Sequence, residues 1–440
     1  MTATDLSPDR RARVSSRWLI GGLVVVFLTV SVQYGIKVSS HRSAIVRWRQ
    51  QLEQLEAGED IYQRHLYPNP PIMALLLRPF AKLPTMVGAL SWFSLKALMA
   101  LVAIVWVFRW IETGSLPFPF WAQALTVLLC LRPIIGDLTH GNVNLFILFL
   151  VVAFLGLWRG GWGGVGGVLL GLAIACKVTP ALFVPYLAWK RAWRPLLGCL
   201  MGLALFFVVV PGLVLGWQRN LDLLESWAEK MIEPYVIQGE VFYSEHPNQS
   251  LPGLVFRLVT EHPSFSTYID HVYTPLEYHH WVSWDPAIAR GLVKAAMLLF
   301  AGVVVWTCRT PTAGAAEWRL AAECGLVILG MLLFSERTWK HHYVTLLVPV
   351  AAVVYALATQ PLGRARRRTL VGLLIGAQGL MLSTSSGLLP ERFAALMQVY
   401  GAYAWANMVL MTALVLVLRG SVGPSCRPSE SLPATVARAA

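Results

Sequence analysis

The segment SERTWKHHYVTLLVPVAAVVYAL, Ser335 to Leu357, opens with a glutamate, an arginine, a lysine and two adjacent histidines, then runs straight into an apolar helix. Charged groups set against a lipid-facing segment are costly, so they point to a use. Imidazole titrates close to working pH, which makes His341 or His342 a candidate for moving a proton. An interfacial anchor is the plainer alternative. A chelating pair is disfavoured, because neighbouring residues of a helix point about 100° apart and cannot close on one ion as an i, i+4 pair does. No HExxH or DxD stretch supplies other ligands, so neither a metal nor a cofactor is expected.

Four more stretches combine polar, charged and proline residues: GEDIYQRHLYPNPPIMALLLRPFAKLP (58–84), RPIIGDLTHGNVN (132–144), CKVTP (176–180) and SEHPNQSLPGLVFR (244–257). With SERTWKHHY they carry Arg78, Arg132, Lys177, Arg257, Arg337 and Lys340. Around one shared cavity such cations would suit a lipid phosphate or pyrophosphate at headgroup depth. Blander readings stand beside this one. YPNPP (67–71) could be a rigid turn, Lys177 could snorkel to the interface, and Asn248-Gln249-Ser250 matches a glycosylation sequon. GGWGGVGGVLLGLA (160–173) looks like a phosphate-binding loop only superficially and reads as small-residue helix packing.

The elements that must hold these residues are membrane helices. Of the 440 residues 56% are hydrophobic and 13% charged, a balance outside that of ordinary water-soluble domains. Apolar runs near 18–36, 87–108, 120–131, 144–157, 165–178, 181–189, 196–215, 291–308, 320–334, 343–357, 369–384 and 402–418 predict an all-α polytopic membrane protein of about twelve spans. Arg10, Arg11, Arg13 and Arg17, Lys190/Arg191/Arg194 and Arg364/Arg366/Arg367/Arg368 then fall on one side, which places both termini in the cytoplasm. The same rule accounts for the net charge of +13, so no nucleic-acid partner is expected.

The domain reading is a cytoplasmic tail (1–17), one transmembrane domain (18–420) and a disordered tail (421–440). Two long segments, about 37–86 and 216–289, face outward together with every polar stretch quoted above. Ser43–Ala57 sets Ile45, Trp48, Leu52 and Leu55 on one face, the pattern of a helix lying on the membrane surface, and NLDLLESWAEKMI reads as a second.

YPNPPIMALLLRPFAKLP, GNVNLFILFLVVAFL, GLAIACKVTPALFVPYLAWKRAW, HPNQSLPGLVFR and SERTWKHHYVTLLVPV occur in this order and on one face. Together they resemble the motif series of glycosyltransferase family 87, the polyprenyl-phosphate-mannose-dependent mannosyltransferases of GT-C type, over about residues 40–390. The resemblance implies a GT-C bundle in the plasma (inner) membrane with its active site on the periplasmic or extracellular face. It implies a polyprenyl-phosphate sugar donor, most often carrying mannose, a glycolipid or glycan acceptor of the cell envelope, and inversion at the anomeric carbon. Two departures stand out: Ser43 or Ala44 occupies the place where members usually carry an aspartate, and GNVN replaces the family's GQ-x-N, with Asn142 for the glutamine.

Such a transfer needs a base for the acceptor hydroxyl and charge stabilisation for the leaving phosphate. His341 or His342 is the favoured base, since the family motif retains a histidine there, with Asp60 and Asp137 as base or as orienters of the imidazole. Lys177, Arg257, Arg337 and Lys340 are candidates for the phosphate. Tyr67, Asn69, His140, Asn142, Asn144, Asn248 and Gln249 are candidates for sugar or acceptor hydroxyls. A lipid transporter or flippase and a catalytically inactive envelope assembly protein are the rival readings. A transporter fits less well, because the polar residues gather at one face and a long outer loop divides the halves unevenly.

Overall fold

A computed structural model describes residues 8–65, 67–112, 116–234, 243–270, 272–312 and 315–419. The helices run α1 Pro8–Ser39, α2 Ala44–Glu56, α3 Ile61–His65, α4 Pro71–Lys82, α5 Thr85–Ile111, α6 Phe120–His140, α7 Asn144–Arg159 and α8 Gly163–Cys176. A 3-10 turn, Thr179–Leu182, leads into α9 Phe183–Trp189. Next come α10 Trp193–Leu203, a π turn Ala204–Val209, α11 Val210–Leu215, α12 Trp217–Met231 and α13 Leu251–Val259. After a β-hairpin the chain continues as α14 Pro286–Thr307 and α15 Glu317–Leu333, then through a second 3-10 turn, Lys340–Leu346, into α16 Leu347–Thr359. The last three are α17 Arg364–Leu382, α18 Glu391–Val399 and α19 Ala402–Arg419. The tail 421–440, read above as disordered, lies outside the described residues.

All twelve apolar runs fall in helical segments, but the helices do not confirm a count of about twelve spans. Among the described residues six are long and apolar enough to cross a membrane: Thr85–Ile111, Phe120–His140, Trp193–Leu215, Pro286–Thr307, Lys340–Thr359 and Ala402–Arg419. The run 181–189 shows why. Its helix α9 has 7 residues, about 10 Å of rise against a hydrocarbon core of about 30 Å. The all-α expectation also needs one amendment. Phe265–Ile269 (β1) and Val272–Glu277 (β2) pair antiparallel, where sequence reading saw only an irregular aromatic stretch.

The glycine-rich stretch packs helices. A Cβ at Gly167 would stand 2.1 Å from the Pro195 carbonyl oxygen, and one at Gly198 would stand 2.1 Å from that of Gly164. Backbone therefore meets backbone where α8 crosses α10, as small residues permit in membrane helices. Gly198→Val is expected to lower the melting temperature in detergent, since overpacking costs about 1–3 kcal/mol. Gly164→Ala is the control: its new Cβ meets nothing within 4 Å, and it should melt as wild type does.

The amphipathic segment forms α2, capped by the buried Ser43, whose hydroxyl accepts from the Val46 amide. Ile45, Trp48, Leu52 and Leu55 are its buried face. That face packs on α3, α4 and α5, so protein covers much of the stripe that sequence reading gave to the membrane surface. Pro71 opens α4 at a position where its missing N–H costs nothing. The apolar helix α16 is almost wholly enclosed by its neighbours, α5, α6, α15 and α19 among them, and it carries the histidine pair at its entrance.

Candidate functional site

The polar heart of the molecule begins at the end of α6. RPIIGDLTH is helical rather than an outer loop, and the helix stops at Gly141, whose φ of 72° is a left-handed cap that a side chain would strain. Asp137, one turn before that stop, is fully buried. The buried Lys96 of α5 donates to its Oδ2 (3.1 Å) and to its carbonyl (2.8 Å). Asn144 Nδ2 donates to Asp137 Oδ1 (2.9 Å), and the Leu145 amide donates to Oδ2 (3.3 Å), so the carboxylate also caps α7. Lys177 Nζ donates to Asn144 Oδ1 at 2.5 Å. A chain of contacts thus runs from a buried ion pair to a cation at the end of α8. These bonds engage both Asp137 carboxylate oxygens and, through Asn144, position Lys177.

The two histidines separate as helix geometry requires. His341 turns toward the end of α6, where its ring lies 4.3 Å from that of His140. Asn142 Oδ1 accepts from the Val143 amide, which leaves Asn142 Nδ2 to meet His341 Nε2 at 3.0 Å. His341 Nε2 is then the acceptor and its proton sits on Nδ1. His342 turns the other way, into a cavity.

The HPNQS motif clamps the SER loop. Asn248 Nδ2 donates to the Glu336 carbonyl (2.8 Å), and its Oδ1 accepts from the Thr338 amide (2.9 Å). Gln249 Nε2 donates to the Gln398 carbonyl (2.8 Å), and its Oε1 accepts from the Tyr403 amide (3.2 Å). Both side chains are fully buried, which also removes the sequon as a modification site. Arg257, expected at a phosphate, is fully buried and donates to the carbonyls of Val399 (2.7 Å), Ser244 (2.6 Å) and Glu245 (2.9 Å). Lys340 donates to the Thr384 carbonyl (2.8 Å), which Arg132 also reaches. Asp60 caps α3 through the Tyr62 amide (2.8 Å), and Tyr67 is buried against Trp48. These residues were expected to touch substrate. Apart from Tyr67, which is held by ring packing, the fold uses their hydrogen bonds on itself, because a buried polar group left unpaired is expensive.

What remains lines one cavity of about 690 Å³. Asn69, Asn142, Lys177, Glu336, Arg337 and His342 form its polar end, with Trp48, Trp227 and Trp339 beside them. Four of the five outer motifs meet there and the fifth supports it. His342, Lys177 and Asn144 also border a smaller adjoining void of about 20 Å³. The cavity continues as an apolar groove past Leu182, Pro185, Trp189, Phe300, Val304 and Val305, between α9, α14 and α15. Near α9 the buried Lys190–Glu323 ion pair (2.6 Å) ties that helix to α15. Cations with an imidazole at one end and an apolar trough at the other match an amphiphile with an anionic head.

The profile of glycosyltransferase family 87 matches this chain over residues 67–335, well over half its length. The chain belongs to glycosyltransferase family 87. Two relatives are named polyprenol-phosphate-mannose-dependent alpha-(1-2)-phosphatidylinositol mannoside mannosyltransferases. The protein from Mycolicibacterium smegmatis is 28% identical over 82% of this chain and 76% of its own. That from Mycobacterium tuberculosis is 27% identical over 83% and 79%. Among solved structures, ArnT from Cupriavidus metallidurans, bound to undecaprenyl phosphate, aligns with 91% of this chain and 78% of its own at 15% identity and a TM-score of 0.38. Its apo state gives 0.40.

In this family 87 glycosyltransferase the residues missed by sequence reasoning are Glu336, Trp48, Trp227 and Trp339. Glu336 stood in view inside SERTWKHHY but looked like one more interfacial charge. Burial pushes its carboxyl up to about 7, against the opposing pull of the neighbouring Arg337. Of Ser43 and Ala44, the two positions set against the family's aspartate above, the buried Ser43 hydroxyl caps α2 and neither residue supplies a carboxylate.

Proposed function

We propose that this membrane glycosyltransferase, a GT-C-type enzyme, moves mannose from a polyprenyl-phosphate donor to a lipid-linked glycan on the outer face of the plasma membrane, with both termini cytoplasmic. The observation that carries the reading is the single cavity that joins Lys177, Arg337 and His342 to an apolar groove. The donor's phosphate lies between the two cations, and its isoprenoid chain follows the groove. Access from the bilayer is supported by α14, which buries Ala289, Val293 and Thr307 and leaves Leu292, Leu298 and Leu299 exposed. Trp48, Trp227 and Trp339 offer flat apolar faces to the sugar.

Transfer is inverting. The acceptor hydroxyl attacks the anomeric carbon as the phosphate leaves with the bonding electrons. Lys177, Arg337 and His342 stabilise the negative charge that grows on the departing phosphate; such donors count for several kcal/mol in a water-poor site. Of the adjacent histidines, His342 is the one in the reaction, and His341 holds Asn142.

Incubating the purified protein in lipid nanodiscs with radiolabelled polyprenyl-phosphate mannose and a membrane glycolipid extract tests this. Label is expected in the glycolipid fraction, and polyprenyl phosphate should inhibit. Label that never leaves the donor, combined with donor movement across liposomes, would replace the reading with a flippase.

A further inference from the structure

We propose that Glu336 is the general base of the transfer, taking the proton of the acceptor hydroxyl as its oxygen attacks the sugar. The proposal rests on the donor reading above and adds the group that reading leaves unassigned. Among the described residues Glu336 is the one carboxylate lining the cavity. The other acidic groups of the outer motifs are committed elsewhere. Asp137 is held by Lys96 and Asn144, Asp60 caps α3, and Glu245 accepts from Ser266.

The placement of Glu336 is built into the fold. Its carbonyl accepts from Asn248 Nδ2 (2.8 Å) and Ser250 Oγ (3.4 Å), and the Gln249 backbone amide donates to the Thr338 carbonyl (2.6 Å) two residues on. The loop from α15 to the second 3-10 turn is thus pinned on α13's cap, and Glu336 lines the cavity. No described residue hydrogen-bonds its carboxyl, and burial raises its proton affinity against the opposing pull of Arg337. Charged and titratable groups sharing the cavity are Lys177 at the end of α8, Arg337 beside it, His342 on the 3-10 turn and Tyr186 on α9.

His342 is the competing proton acceptor, and position separates the two. His342 borders the small void with Lys177, whereas Glu336 lines only the main chamber with Asn69 and the tryptophans. Within the polar end the imidazole sits with Lys177 on the side of the void, and the carboxylate, beside Arg337, is open to the chamber that an acceptor would enter. In the step itself the acceptor O–H bond breaks and its proton passes to the Glu336 carboxylate. A new bond forms between that oxygen and the anomeric carbon, and the carbon–phosphate-oxygen bond breaks toward polyprenyl phosphate. Water then recovers the proton. A base that titrates near neutrality combines a deprotonated population with useful driving force.

The test compares wild type, Glu336→Gln and Glu336→Asp in nanodiscs, with radiolabelled polyprenyl-phosphate mannose as donor and the glycolipid extract as acceptor. Glu336→Gln is expected to lower kcat about 10²–10³-fold, with polyprenyl phosphate still binding within about twofold of wild type, and Glu336→Asp to recover part of the rate. Because the base must be deprotonated, wild-type kcat/KM should climb with pH and level off above about 7, following Glu336; the residual activity of Glu336→Gln should lack that limb. A Glu336→Gln protein with wild-type kcat, or one that keeps the limb, overturns the proposal. Should Glu336→Gln fail to fold, the limb in wild type and its displacement in Glu336→Asp decide instead, and an unmoved limb overturns it. Wild type that transfers nothing overturns the donor reading as well, whereas active wild type with an indifferent glutamate overturns this proposal alone.

Discussion

His342→Ala is expected to lower mannose transfer about 10²-fold while His341→Ala lowers it about tenfold, an inequality that comes from direction and not from chemistry. Both are imidazoles, adjacent in sequence and at the mouth of one helix. On the tight 3-10 turn Lys340–Leu346 they diverge, and His342 enters the cavity beside Lys177 while His341 accepts from Asn142 and lies 4.3 Å from the His140 ring. Losing a donor aimed at the departing phosphate removes about 2.7–4 kcal/mol of transition-state stabilisation. Losing His341 removes one hydrogen bond that orients Asn142, about 0.5–1.5 kcal/mol. Initial rates at saturating acceptor, read with donor binding in parallel, check the ordering. If His341→Ala is the more damaging change, the ring packed against α6 carries the role and the assignment to His342 fails.

Asp137→Ala should be the most destabilising single change among the polar residues of the site. It would strand the Lys96 ammonium where both side chains are inaccessible to solvent. Breaking a buried pair from one side costs about 3–5 kcal/mol, because the remaining charge keeps only a backbone carbonyl and no counter-charge. The same change removes the acceptor for the Leu145 amide and frees Asn144, through which Lys177 is held. Thermal melting in detergent should show a large drop for Asp137→Ala. The double change Lys96→Met/Asp137→Leu removes both charges and should restore much of the melting temperature. Activity should stay low in the double variant, because Lys177 loses the partner that aims it. Asp137→Ala melting with wild type would show that the pair contributes nothing, and activity returning with stability would free Lys177 from any dependence on Asp137.

Much of the site was legible because membrane sequences advertise their costs. A lysine, an arginine or a histidine at the boundary of an apolar run is rare enough to notice, and Lys177, Arg337 and His342 were found that way, whereas Asn69 and Asn142 came from the YPNPP and GNVN motifs. The stripe of α2 was legible because its period shows which four residues are buried, whatever covers them. The covering itself, by α3, α4 and α5, was not. Nor was the difference between Arg337 and Arg257. Both are arginines in outer motifs, but one lines the cavity and the other is enclosed among the carbonyls of residues 244, 245 and 399. Composition cannot report which carbonyls a later turn of chain will bring within reach.

By itself the sequence determined a helical membrane protein, the order of its apolar segments, the use of the glycine-rich stretch for helix packing, and the residues expensive enough to need a purpose. Those properties follow from local period and from the cost of charge near lipid. Only the tertiary structure decided which polar groups are consumed in holding the fold and which are left facing a chamber. It turned Asn248, Gln249 and Arg257 into supports, Asp137 into a positioning group, and Glu336 from a nearby charge into a cavity carboxylate. The physical reason is that a polar side chain's role depends on whether its bonds are already satisfied, and that is settled by partners as much as 271 residues away.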